Sequence, residues 1–352
     1  MTPALLLEIT RGPLVEEVQR GHLAIVDAKG TCLTSVGGSR SAVTYWRSSA
    51  KPFQSMSLVT SGAAARFSLE PEDLAICSAS HNGEAVHTER VAHVMKLAGN
   101  ALEDLACGTH PPFDRVTAVA LERRGVAPSV LHSNCSGKHA GMLALAKHLG
   151  TPTEGYRRPD HPVQQLIMET VCRFTGLQEH ELVMGVDGCG APTFGLSVER
   201  MALAYARLMN TDGLPEADQR AAVAVRRAMT EHPFLVGGTG HADTDLMRVA
   251  GGRIVMKGGA SGVLCAGVEG GVGIAVKLES GAGRPVMAAP IVIEALRWLG
   301  ALSEAEVREL ASHLPRAVKN VAGETVGETR IAFALPSPPR PPLTDPMSHA
   351  AI

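Results

Sequence analysis

The chain has 352 residues, 45% of them hydrophobic and 19% charged. At roughly 150 residues per domain this allows two domains or one large one, with ample apolar material for a core, and it excludes wholesale disorder. The 33 cationic residues are balanced by 35 acidic ones and aromatics make up only 3%, so the chain lacks both the basic excess and the stacking surfaces of a nucleic-acid binder.

In chain order, hydropathy patterning predicts strands at 4–11 and 22–36, the second folded back at Lys29-Gly30. A helix follows over 48–61 and stops at Gly62. Two more are expected at 70–78 and 84–98, the latter with Val86, Val91, Val94 and Leu97 on one face. The stretch 115–121 reads equally as a strand or a short helix. Further helices are predicted at 136–149, 161–175, 198–209 and 215–229, with a strand at 182–186 before the last two. The period then changes. Residues 246–250 and 253–257 read as a hairpin closed by Gly251-Gly252, and 262–268 with 272–278 as a second one. Helices at 285–299 and 303–314 follow, the latter opened by the capping box Ser303-Glu304-Ala305-Glu306. The proline-rich stretch 336–352 reads as a disordered tail.

The predicted fold class is therefore α/β (α+β). An antiparallel sheet built from N- and C-terminal strands carries flanking helices, and a helical lobe spans roughly 60–240. Residues 1–335 are expected to form one catalytic unit. No stretch reaches the ~18 uninterrupted apolar residues of a membrane span, and no secretory leader pattern is visible. The cysteines number seven, an odd count in a large chain, which predicts reduced thiols and a cytoplasmic protein.

Arginine supplies 25 of the cations and lysine only eight. A lysine in an unusual context then suggests a need for a deprotonable amine, which arginine cannot provide. Ser48-Ser49-Ala50-Lys51 is one such context: at a helix start the two functional groups fall one turn apart, where a neutral amine could take the serine proton. Ser80-His81-Asn82 and Lys257-Gly258-Gly259 follow it in the chain order of penicillin-recognising serine acyl-transferases. Each motif alone also reads as a capped helix, a turn or a strand end.

The densest polar cluster is His132-Ser133-Asn134-Cys135-Ser136-Gly137-Lys138-His139, and a second, Asp187-Gly188-Cys189-Gly190, follows the predicted strand 182–186. Three readings of the cysteines stand side by side: zinc ligands, small buried side chains, or a Cys135 nucleophile activated by Lys138, His139 and a helix N-terminus.

Taken together, Arg47-Ser48-Ser49-Ala50-Lys51-Pro52, Ser80-His81-Asn82-Gly83-Glu84, Asn134-Cys135-Ser136-Gly137-Lys138-His139 and Asp187-Gly188-Cys189-Gly190 resemble the rhizobial-type L-asparaginases, the asparaginase II or class 3 family. The resemblance runs from about residue 5 to about residue 335. It implies a fold similar to serine β-lactamases and serine glutaminases, a homodimer, and hydrolysis of L-asparagine to L-aspartate and ammonia. Carried over by position, Ser48 with Lys51 and Ser80 with Lys257 would form two Ser–Lys tandems. Cys135, Lys138 and Cys189 would bind Zn2+. Arg47 is expected to grip the substrate α-carboxylate and Asp187 its ammonium, with His81, Asn134 and His139 lining the pocket. The competing functions are another serine amidohydrolase, such as a glutaminase or a β-lactamase-like enzyme, and a non-catalytic zinc- or amino-acid-binding module.

Overall fold

The computed structural model describes residues 2–280 and 287–337. These divide into two compact units: residues 2–44, 196–210, 256–280 and 287–337 in one, and residues 45–195 and 211–255 in the other.

The first unit is built on a sheet whose strands run in the order Ala317–Lys319, Thr325–Ile331, Ala4–Arg11, Leu14–Asp27, Val272–Leu278, Val263–Val268 and Ile254–Gly259, with Cys32–Val36 also paired to Leu14–Asp27. N- and C-terminal strands thus share one sheet, and the Ala4–Arg11 strand is antiparallel to both its neighbours. The register between Leu14–Asp27 and Val272–Leu278 runs unbroken from Gly21↔Leu278 to Asp27↔Val272. The helix Val198–Met209 packs on this region. Close approach requires glycine: a Cβ on Gly267 would lie 2.7 Å from the Tyr205 carbonyl, and one on Gly273 would run into that of Ala202.

Several expectations need correcting here. The stretch 246–250 is helical, the end of the helix Ala242–Ala250, not a strand. Asp243 and Asp245 favour its first turn, and Gly251, left-handed at φ 57°, ends it. The second strand begins at Leu14 instead of residue 22, because Leu14–Arg20 forms an exposed ribbon without the buried apolar run that marks residues 21–26. Residues 115–123 form a helix, decided by Asp114, whose carboxylate accepts the Thr117 N–H. The strands Ala317–Lys319 and Thr325–Ile331 are a further addition. The helix expected over 285–299 is described from Ala289 to Trp298, with 285–286 outside the described residues, as is 338–352 of the expected tail.

The second unit is mainly helical. Its central helix Ser136–Leu149 is buried from Ser136 to Ala146 and packs against Lys51–Thr60, Pro71–Cys77, Ala85–Leu97 and Pro162–Thr175. Glycines let it approach: a Cβ on Gly137 would collide with the Ile76 carbonyl, and one on Gly141 would sit 3.0 Å from the Cys77 sulfur. Two buried carboxylates tie helices together, Asp73 with Arg90 at 3.1 Å and Asp218 with Arg173 at 2.6 Å.

Candidate functional site

The second unit brings together eleven of the twelve residues singled out in the sequence. The turn Arg47–Ala50 runs directly into the helix Lys51–Thr60, so Ser48 precedes Lys51 by one turn. The turn is anchored from both sides. The Trp46 N–H donates to the Phe194 carbonyl at 2.8 Å, and the Trp46 ring lies 4.7 Å from that of Phe53. Between these anchors Arg47 adopts a left-handed backbone, φ 55°. That conformation costs about 1–3 kcal/mol for a non-glycine residue and tends to mark functional segments. The Arg47 Nε and Nη2 both reach the same Asp187 oxygen, at 2.9 and 2.7 Å.

Lys51 is 1% exposed. Its Nζ donates to the Ala79 carbonyl at 2.6 Å, the Ser80 Oγ at 2.9 Å and the Asn134 carbonyl at 3.3 Å. The amine therefore bonds the serine that the motif order pairs with Lys257. Lys257 itself lies on Ile254–Gly259, in the sheet unit, buried and donating to the Gly258 carbonyl at 3.0 Å.

The Ser80–Asn82 stretch is held by backbone bonds, with Ser80 N–H on Val236 and Asn82 N–H on Gly237. His81 is fully buried with both ring nitrogens engaged. Its Nδ1 accepts the Gly83 N–H. The Ser136 hydroxyl gives its own hydrogen to Leu131, so the His81 Nε2–H donates to Ser136 at 3.0 Å. Burial, with the nearby His87 and Lys51, keeps its pKa well below the ordinary histidine value. His81 shapes the site from behind; its ring nitrogens face protein partners.

Cys135 occupies the N-cap position of Ser136–Leu149 without a side-chain capping bond, with Lys138 one turn on. Cys189 arrives on the tip of a hairpin between Val183–Val186 and Pro192–Ser197, closed by Gly190 N–H on the Asp187 carbonyl and by Gly190 at φ 80°. All three side chains are under 8% exposed, and the Lys138 Nζ donates to the Cys189 Sγ at 3.1 Å. A hydrogen bond from Cys189 holds the Cys135 pKa well below the ordinary thiol value despite burial, with Lys51 and Lys138 adding to the effect. Cys189 is pushed up correspondingly by that bond and by burial. Burial pulls the Lys138 amine down, but the two cysteines outweigh it and its pKa ends raised. The cluster is thus a buried pair of cysteines that share a hydrogen bond, with the Lys138 amine donating to Cys189. Asp187 is also pushed up by burial, yet Lys138 and Arg47 bring it below the ordinary carboxylate value.

Among the described residues no group of three or more His, Cys, Asp or Glu side chains is placed to hold a metal ion. A zinc ion would therefore need Lys138 as its third donor. The donor set fits: two sulfurs and an amine gathered in one buried cluster suit a borderline-soft ion and leave a fourth tetrahedral position.

Residues without a sequence signal complete the site. His110 accepts the Asn134 N–H on Nε2 at 2.9 Å and thereby fixes the carbonyl that Lys51 uses. Tyr156 meets the His139 Nδ1 at 2.6 Å. Burial draws the His139 pKa down to about 4, although the Cys189 sulfur acts in the opposite sense. Both helpers sit in loops with no pattern around them; an isolated His or Tyr between turns gives nothing to read.

The family model described as L-asparaginase II matches residues 7–331. The chain belongs to the L-asparaginase II family. No curated protein matches it. Among solved structures, native Mglu is 17% identical over 74% of this chain and 59% of its own, at a TM-score of 0.32. The simvastatin synthase LovD6 mutant from Aspergillus terreus is 12% identical over 74% of this chain and 86% of its own, at 0.37. The chain thus spans less than two thirds of the Mglu length. Among the described residues no helix is long and apolar enough to cross a membrane.

Proposed function

We propose that this L-asparaginase II family member hydrolyses L-asparagine to L-aspartate and ammonia through a serine ester. The observation that carries the reading is the buried Lys51 amine bonded to the Ser80 hydroxyl, one turn beyond Ser48. Ser48 Oγ attacks the side-chain amide carbon while Lys51, in its deprotonated form and with one of its three donated bonds given up, takes the serine proton. Ser80 passes a proton to the departing nitrogen, which leaves as ammonia. Backbone N–H groups around Ser48 stabilise the developing oxyanion. Water then cleaves the β-aspartyl ester and restores Ser48. Lys257→Met, which keeps bulk and removes the amine, tests the role that the resemblance implies for Lys257.

Arg47 and Asp187 explain the preference for an amino acid. Their ion pair presents a cation and an anion side by side, the complement of an α-carboxylate and an α-ammonium. The same reading assigns Asn134 and His139 to the lining of the substrate pocket. Cys135, Lys138 and Cys189 would hold a zinc ion, which would supply a fixed positive charge for orienting the substrate. The homodimer implied by the resemblance belongs to the same reading, and light scattering checks it.

One observation favours a second reading. Cys135 stands at the N-cap position of a helix, and its hydrogen bond with Cys189 and the nearby Lys51 and Lys138 lower its pKa, which is the setting of a cysteine nucleophile. Kinetics on Cys135→Ala, with metal analysis of both proteins, separate the two. Loss of zinc with a raised KM and most of kcat retained supports metal-assisted binding. Loss of kcat, with one-for-one inactivation of the wild type by a thiol alkylating agent, overturns the serine scheme. Release of ammonia from L-asparagine, compared with L-glutamine and a β-lactam, sets the substrate class.

A further inference from the structure

We propose that Glu84 is a positioning residue for Ser80: it ties down the segment 236–239, whose backbone holds the Ser80 hydroxyl against the Lys51 amine. The proposal rests on the reading above, in which Ser80 passes a proton to the departing nitrogen.

Glu84 closes the motif Ser80-His81-Asn82-Gly83-Glu84 and has no part in the chemistry described so far. It stands at the N-cap of the helix Ala85–Leu97, a place usually taken by serine, threonine, aspartate or asparagine, whose short side chains turn back onto the helix. The glutamate reaches instead to a segment 155 residues away in sequence. Its Oε1 accepts the Thr239 N–H at 2.9 Å and its Oε2 the Thr239 hydroxyl at 3.1 Å. Beside it, the Asn82 side-chain amide donates to the Thr239 carbonyl at 3.0 Å. Bonds also run the other way: the Val236 carbonyl accepts the Ser80 N–H at 3.0 Å and the Gly237 carbonyl the Asn82 N–H at 2.9 Å. His87 secures the start of the segment, its Nε2–H donating to the Phe234 carbonyl at 2.9 Å while its Nδ1 accepts the Glu84 N–H.

The fit leaves no slack. Gly238 is buried at φ 112°, and a Cβ there would lie 2.5 Å from the Glu84 Oε1 and 3.0 Å from both the Asn82 Nδ2 and the His87 Cε1. With the Ser80 N–H pinned to Val236, the place of its hydroxyl, 2.9 Å from the Lys51 Nζ, follows the place of this segment. Proton transfer tolerates little displacement, and a shift near 1 Å costs up to about a hundredfold in rate. Glu84 thus acts on the reaction through Ser80, without touching the substrate.

The test compares Glu84→Ala, Glu84→Gln and Thr239→Val with the wild type, each as the full-length protein. Glutamine keeps both bonds, since its carbonyl accepts the Thr239 N–H and its amide donates to the Thr239 hydroxyl. In Glu84→Ala, kcat for L-asparagine should fall about tenfold or more while KM stays within about twofold of the wild type. Glu84→Gln should restore most of the rate, and Thr239→Val, which loses one bond, should fall between. Hydrogen exchange at the Ser80 and Asn82 amides should quicken in Glu84→Ala, with the helix Ser136–Leu149 exchanging at the wild-type rate. L-Aspartate β-hydroxamate separates positioning from support alone. Hydroxylamine is a weaker base than ammonia and needs less help from a proton donor, so the deficit of Glu84→Ala should shrink on this substrate. An equal deficit on both substrates overturns the proposal. So does faster exchange with kcat unchanged, or a lost kcat with exchange unchanged. If exchange quickens throughout Glu84→Ala, the milder Thr239→Val decides by the same criteria. Failure of the wild type to release ammonia from L-asparagine would sink the functional reading, while the exchange rates still judge whether Glu84 holds the Ser80 backbone.

Discussion

Ser48 and Ser80 present the same functional group in different surroundings. Ser80 is buried and bonded to Lys51, whereas Ser48 is half-exposed beside the strained Arg47, where a substrate can reach it. Replacing Ser48 by Ala is expected to reduce turnover to below a few per cent while leaving the melting temperature nearly unchanged. Ser48 supplies no side-chain cap to the helix it precedes, so its loss removes no structural hydrogen bond of that kind. Retention of substantial activity would move the nucleophile to Ser80 or Cys135. Arg47→Lys tests the neighbouring contact. Lysine cannot reproduce a fork that places two N–H groups on one carboxylate oxygen, so KM should rise about tenfold or more with kcat less affected. Unchanged KM would remove Arg47 from substrate recognition.

The elements that deliver these residues depend on close helix packing more than on helix propensity. Ser136–Leu149 can place Cys135 and Lys138 only because Gly137 lets its first turn touch the Ile76 carbonyl. Gly137→Ala should therefore displace that turn, destabilise the fold by about 1–3 kcal/mol and lower zinc content together with activity. Gly150, which ends the same helix at φ 69° with open space around it, is the control. Gly150→Asn should be nearly neutral, because asparagine tolerates the left-handed region. Equal effects at the two positions would show that packing at Ile76 is not what aligns the site. Legibility at this scale followed burial. Helices with a buried stripe, such as Val198–Met209 and Pro162–Thr175, stood out by their period. Leu14–Arg20 did not, because an exposed ribbon buries no face and so leaves no alternation. Residues 246–250 were misread because Leu246, Met247 and Ala250 are apolar in any secondary structure, and the deciding acids lie upstream at Asp243 and Asp245.

For the molecule as a whole, the motif strings located the site while tertiary contacts decided how its members connect. The hydrogen bond from Lys51 to Ser80 and the pairing of Arg47 with Asp187 cross 29 and 140 residues of sequence, and no local pattern encodes them. The same long-range assembly makes zinc affinity a function of pH, with a sign that can be worked out. Without metal, Lys138 and Cys189 both have raised pKa values and hold their protons near neutrality, while the pKa of Cys135 is lowered. Binding zinc through all three must then expel two protons, one from Lys138 and one from Cys189. Affinity should rise by up to about a hundredfold per pH unit between pH 6 and 8, and fall equally as pH drops. Because a ligand that binds only the folded chain stabilises it, by ~2.7 kcal/mol at a hundredfold excess over Kd, added zinc should raise Tm at pH 8 and much less at pH 6. Calorimetry in buffers of different ionisation enthalpy counts the protons directly. Release of one proton would mean that Lys138 remains an ammonium and only the sulfurs bind. Release of none, with Tm indifferent to zinc at both pH values, would remove the metal from this cluster and leave Cys135, Lys138 and Cys189 as a buried ion pair beside the serines.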